Sequence, residues 1–263
     1  MSAQGLTDEQ FAELFELIKG ADTVELKLTV PDSDLDSAMS ALEVDPLDAQ
    51  IRQVMFFDTP DLRLNTAGVV VRARRVQDES GDSVIKLRPV VPGELPAELR
   101  QSSAFGVEVD VMPGAFVCSG SLKGKLDNHD VTEVLKGERP IKKLFSKEQR
   151  AFYAEHAPEG IELGSLTPLG PIFLLKLKFL PEGFPRKMVG ELWLYPDGSR
   201  IVELSTRCVP GDAFQVVAET RAFLGSRGID LAGEQQTKTR AALDYYSRIL
   251  TDDHPSSSPV PRR

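Results

Sequence analysis

The sequence predicts an α+β fold built on a curved or closed sheet of antiparallel strands, with helices laid against it. Three observations carry this. Eight short segments read as strands, seven of them by apolar/polar alternation with period two. Several are joined by Gly/Pro/Asp turns of the hairpin kind. Seven of them have one apolar face and one charged face, while amphipathic helical stretches stand at both ends and in the middle of the chain.

The first helix is read in "LTDEQFAELFELIKG". Thr7 is placed to cap it, with Gln10 completing a capping box, and Phe11, Leu14, Phe15 and Ile18 form the apolar stripe. Gly20 ends it. Strands are expected at 23–30, 51–57, 69–76, 83–88, 106–112, 172–179, 188–195 and 201–207. "QDESGDS", "PEGFPR" and above all "YPDGSR" mark turns between them. A short helix is expected over 34–43. The segment 122–157 interrupts the strand rhythm with two capped helices, one beginning at Asp130 and one at Ser146 with Gln149. Two more helices are expected at 212–227 and 235–250.

This divides the chain into an N-terminal helical extension, 1–20, and one domain, 21–250, with a helical insertion near 122–157. The Pro- and Ser-rich tail, 251–263, is expected to be disordered.

The 263 residues carry a formal net charge of -9, which argues against nucleic-acid binding over the whole surface. Two cysteines, Cys118 and Cys208, and three scattered histidines offer no zinc or redox spacing. No stretch approaches the roughly 20 apolar residues of a membrane span, and the N-terminus lacks signal-peptide character. A cytoplasmic protein with no membrane partner is the expectation; a homodimer is left open.

The charged faces hold the functional signal. On one side of each strand stand Glu25 and Lys27; Arg72 and Arg74; Lys86 and Arg88; Glu108 and Asp110; Lys176 and Lys178; Glu191; and Glu203 with Ser205, Arg207 lying at that strand's end. Like charges bunched at i, i+2 repel unless something opposite sits between them. With helices available for the apolar side, the charged side becomes the inside of the curve or barrel. Eight strands can enclose a small ligand. Clustered cations facing a lumen call for a polyanion, and arginine forks suit phosphate oxygens. The carboxylates repel phosphate but suit Mg²⁺, which takes one or two carboxylates together with substrate phosphates.

In "TVELK", "FFDTPDLRLNTAGVVVRARR", "IKLRP", "VEVD", "LKLK", "GELWLYPDGSRIVELS" and "QTKTRAAL", in that order over about 20–247, the chain resembles the CYTH superfamily of triphosphate tunnel metalloenzymes. The resemblance implies an eight-stranded antiparallel barrel, a tunnel with a polar lumen. It implies phosphate binding by Lys27, Arg72, Arg74, Lys86, Arg88, Lys176, Lys178 and Lys238. It implies Mg²⁺ or Mn²⁺ held by Glu25, Glu108, Asp110, Glu191 and Glu203, with Glu25 and Lys27 as the catalytic residues. The implied activity is hydrolysis of inorganic triphosphate or an organic triphosphate. Two positions depart from the family pattern: Thr23 stands where the first glutamate of E-x-E-x-K is expected, and Ser205 where a glutamate follows Glu203. A polyphosphate- or nucleotide-binding protein with weakened catalysis is therefore the alternative, and an adenylate cyclase the third reading.

Overall fold

The computed structural model describes residues 6–31, 34–229 and 238–252. Of the expected disordered tail, 251–263, the first two residues end a helix, Lys238–Asp252, and the rest lie outside the described residues. Nine strands close into a barrel: β1 (Thr23–Val30), β2 (Gln50–Asp58), β3 (Val69–Val76), β4 (Gly81–Leu87), β5 (Phe105–Met112), β6 (Ala115–Leu126), β7 (Thr167–Phe179), β8 (Met188–Leu194) and β9 (Arg200–Cys208). Around the ring they run β1-β5-β6-β4-β3-β2-β7-β8-β9, and β9 closes on β1.

The expectation of eight antiparallel strands is corrected on both points, and one strand accounts for both. The missing element is β6. Its sequence, "AFVCSGSLKGKL", has Ser119, Gly120, Ser121 and Gly124 where alternating apolar residues would have marked a strand. Those glycines are steric requirements. A Cβ on Gly120 would lie 2.7 Å from the Phe105 ring, and one on Gly124 would lie 2.6 Å from Gln149 Oε1. An odd number of strands cannot alternate direction all the way round a closed ring. The ninth strand thus forces one parallel junction, and it falls between β1 and β5.

Eight helices accompany the barrel among the described residues: α1 (Asp8–Gly20), α2 (Leu35–Ala41), α3 (Arg63–Thr66), α4 (Ala97–Gln101), α5 (Asn128–Leu135), α6 (Lys147–His156), α7 (Ala213–Ser226) and α8 (Lys238–Asp252). The capping boxes of α1 (Thr7, Gln10) and α6 (Ser146, Gln149) form as read. The cap of α5 is Asp127, whose carboxylate accepts from His129 N–H; Asp130 lies in the first turn instead. On α1 the buried residues are Leu14, Leu17 and Ile18. Phe11 and Phe15 instead stack on Phe214 of α7 and remain exposed.

The apolar strand faces point outward. Val24, Leu26, Leu28 and Val30 are all buried beneath the helical layer, whereas Thr23, Glu25, Lys27 and Thr29 are only half-buried on the inner face. Residues 122–126 of the expected insertion end strand β6, and the remainder belongs to the outer layer. Phe152 of α6 meets Phe105 edge-on, and the Gln149 side-chain amide donates to the carbonyls of Ser83 and Leu122. A second apolar cluster joins Val54, Phe56, Ile172, Leu174 and Trp193 to Ala242 and Leu243 of α8. Val54, Phe56 and Trp193 also line the lumen, so the interior is polar along part of its length and apolar where α8 packs.

No helix among the described residues is long and apolar enough to cross a membrane.

Candidate functional site

The barrel encloses a cavity of about 520 Å³. Its lining includes Glu25, Lys27, Arg72, Arg74, Lys86, Arg88, Glu108, Asp110, Lys176, Glu191 and Glu203, so alternation placed these side chains on the correct face. Lys178 is exposed near the end of β7 and is not part of the lining. Lys238 is the first residue of α8, and its side chain lies outside the described residues; the neighbouring Thr239 does line the cavity.

Strand register sorts the charges into two zones. In the first, Arg207, Glu25 and Asp110 stand side by side across β9, β1 and β5, and Thr23 stands opposite Glu108. Ligand oxygens of Glu25, Glu108 and Asp110 all lie within 4.8 Å of one another. Cations already contact them. Lys27 Nζ is 2.7 Å from Asp110 Oδ1 and 3.4 Å from Glu25 Oε2. Arg207 Nη2 is 2.5 Å from Glu108 Oε2 and 3.3 Å from Glu25 Oε2. Arg88 Nη2 reaches Asp110 Oδ2 at 3.3 Å.

The two departures from the family pattern also sit here. Thr23 Oγ1 donates to Glu108 Oε2 at 3.4 Å, and Ser205 Oγ donates to Glu25 Oε1 at 3.0 Å. Burial works against ionisation in this zone, yet Lys27, Lys86 and Arg88 hold the Asp110 carboxyl down at about 2. Burial likewise opposes the charge on Lys27, but Asp110 and Glu25 outweigh it and raise its affinity for the proton above that of an ordinary lysine.

The second zone is cationic and less well neutralised. Arg72 approaches Asp82 only to 3.8 Å, and its buried Nε has no hydrogen-bond partner. Arg74 takes the better share of Asp82, donating from Nε at 2.8 Å. Lys86 comes no closer to Asp110 than 4.0 Å. Burial, reinforced by Lys27 and Arg88, pushes the Lys86 ammonium down to about 8. Burial and the neighbouring Arg74 push Arg72 down to about 10, so it remains a cation at neutral pH. Lys176 is bonded to Glu191 at 2.7 Å, and its pKa is nevertheless lowered by burial.

Glu191 also accepts from the Trp193 indole N–H at 3.2 Å, and it stands opposite Glu203 in register. Neither Glu191 nor Glu203 belongs to the acidic trio on β1 and β5. Asp58 is a turn residue: its carboxylate accepts backbone N–H bonds from Thr59, Leu64 and Asn65.

The sequence reading passes over two charged residues, Asp82 and Arg52, and it has Arg207 at its strand's end without its partner. Asp82 lies on the face of Lys86 and Arg88, two residues before Val84, so extending that alternation back into the turn would have found it. Arg52 is buried in phase with Val54 and Phe56, and the nearby Arg74 adds to the burial that lowers its pKa. Arg207 is a cross-strand partner of Glu25, a relation that only register reveals.

The family resemblance implies a divalent cation, and the donor set is compatible with one. Three carboxylates converge, and oxygen ligands of this kind suit Mg²⁺ or Mn²⁺.

No family model matches the sequence, and no curated protein does. Solved structures do. A candidate adenylate cyclase from Bacillus halodurans is 14% identical with a TM-score of 0.58, over 83% of this chain and 98% of that one. A candidate adenylyl cyclase from Hippeastrum, described as having a dominant triphosphatase activity, is 17% identical with a TM-score of 0.60, over 84% of this chain and 95% of that one. At these identities the likeness is one of fold, and it supports the CYTH resemblance at that level.

Proposed function

We propose that this chain binds a triphosphate-containing compound in the cationic zone of the barrel and hydrolyses it with the help of a divalent cation held at the acidic zone. The observation that carries the reading is the deficit of negative charge around Arg72 and Lys86. Two half-buried cations have only distant carboxylates, and the buried Nε of Arg72 is an unsatisfied donor. Such groups are costly in an empty cavity and favourable around phosphate oxygens.

Arg72, Arg74, Lys86, Arg88 and Lys176 would hold the phosphate chain. Glu25, Glu108 and Asp110 would hold Mg²⁺ or Mn²⁺, which when bound polarises a phosphoryl oxygen and makes water a better nucleophile. Lys27 is kept protonated by Asp110 and Glu25, so its part is electrostatic and not that of a base. A dry, preorganised set of charges is the main device available for phosphoryl transfer.

One observation favours a second reading, a binder with little turnover. Thr23 and Ser205 bring neutral hydroxyls into the acidic zone where the family pattern has carboxylates. The test is phosphate release from inorganic triphosphate with Mg²⁺, with Mn²⁺ and with chelator, beside thermal stabilisation by the same ligand. Stabilisation with metal-dependent release is expected. Stabilisation without release in either metal selects the binder, and the absence of stabilisation contradicts both readings.

A further inference from the structure

Arg207 sits where a cation is wanted. It stands beside Glu25 across the β9–β1 pairing and reaches diagonally past it to Glu108. One guanidinium thereby links two of the three carboxylates whose oxygens converge. The hydroxyl of Ser205 takes the other oxygen of Glu25, and the hydroxyl of Thr23 adds to Glu108. Both oxygens of Glu25 and Oε2 of Glu108 thus already carry donors of this chain, with which a divalent ion would compete.

Arg207 differs from Lys27 in one respect that matters. The Lys27 side chain is 19% exposed and that of Arg207 is 53% exposed. An arginine with half its surface in water can leave its partners and recover hydration; a lysine held against buried Asp110 cannot do so as easily.

We propose that Arg207 is a resident counter-ion of the acidic zone which a divalent cation must displace, so that this chain admits metal only against the competition of its own arginine. The inference rests on the reading of Glu25, Glu108 and Asp110 as the metal holder, and it is independent of which triphosphate is bound. It also gives Thr23 and Ser205 a role, as neutral donors compatible with the arginine-bridged state. A glutamate at position 23 or 205 would add a carboxylate and tilt the competition toward metal.

The experiment is titration of the metal-free full chain with Mn²⁺, following free Mn²⁺ by electron paramagnetic resonance, for wild type, Arg207→Gln and Arg207→Lys. Lysine keeps the charge on a shorter, point-like head, whereas in Arg207 the single nitrogen Nη2 touches both carboxylates. Removing a competing charge-assisted bridge is expected to tighten Mn²⁺ binding at least about tenfold in Arg207→Gln, with Arg207→Lys between it and wild type. Asp110→Asn in the Arg207→Gln background is expected to abolish the gain, which places the ion at this cluster. Circular dichroism confirms that each variant is folded. If wild type and Arg207→Gln bind Mn²⁺ equally, or the variant binds more weakly, the inference is overturned while the metal reading stands. If neither binds at millimolar Mn²⁺, the metal reading falls as well. Triphosphate stabilisation in chelator reports separately on the cationic zone.

Discussion

Arg72 and Lys86 are positions where binding and stability oppose each other. Each is a half-buried cation whose charge burial disfavours, so each is expected to weaken the empty fold and strengthen a complex with phosphate. Arg72→Gln is expected to lower triphosphate affinity by about 1.5–3 kcal/mol, the range for a hydrogen bond to a charged group, without lowering the melting temperature of the free protein. Calorimetric titration and thermal unfolding check the two halves. For Lys86 the sign of the pH effect follows from the direction of its shift. Its folded pKa, about 8, lies below the ordinary lysine value of 10.5. The unfolded chain therefore binds more protons between those values, and stability contributed by this residue rises with pH across that window. In chelator, the stability difference between wild type and Lys86→Met is expected to favour the variant at pH 7 and to shrink toward pH 10. A difference that stays constant with pH would show that Lys86 carries no such penalty.

At the scale of the element, the turn before β3 holds the end of β4. Gly68 has φ of +76°, and its carbonyl accepts from Arg88 N–H at 2.8 Å. A Cβ there would lie 2.5 Å from the Arg88 carbonyl oxygen, a backbone atom with nowhere to go. Gly68→Ala is expected to destabilise the fold by about 2 kcal/mol or more and to weaken triphosphate binding through Arg88, as read by denaturant unfolding and by titration.

Elements also show what the sequence made legible. Period two assigned the inner face of seven strands, because a charged residue among apolar neighbours has only two sides to choose from. It said nothing of height along the barrel, which is why Lys178 was grouped with Lys176 although it lies exposed near the strand's end. β6 was illegible for a different reason. Its small residues answer to the Phe105 ring and to Gln149 and carry no pattern of their own. On α1 the helical period was right and the buried face was rotated, since Phe11 and Phe15 find Phe214 instead of the core.

The whole molecule is an acidic protein around a partly cationic lumen, with a net charge of -9 outside the logic of its own site. On net charge alone, a triphosphate approaching it is expected to be repelled at long range and attracted within the cavity. The buried contacts are screened by salt far less than the distant field. Modest salt is therefore expected to accelerate triphosphate association, the reverse of the usual steered case, and stopped-flow measurements over 20–200 mM salt check this. The closed ring explains how so many like charges are held together. Nine strands and a helical outer layer fix the lining residues through backbone register, so the cavity can retain Arg72 and Lys86 without full neutralisation.

The central claim is that this lumen is built around a phosphate chain. Calorimetric titration of inorganic triphosphate into the metal-free protein, beside Arg72→Gln, tests it most directly. The expected result is saturable binding in chelator that Arg72→Gln weakens at least about tenfold while the variant stays folded. Equal binding by the two proteins, or none by either, would contradict the account.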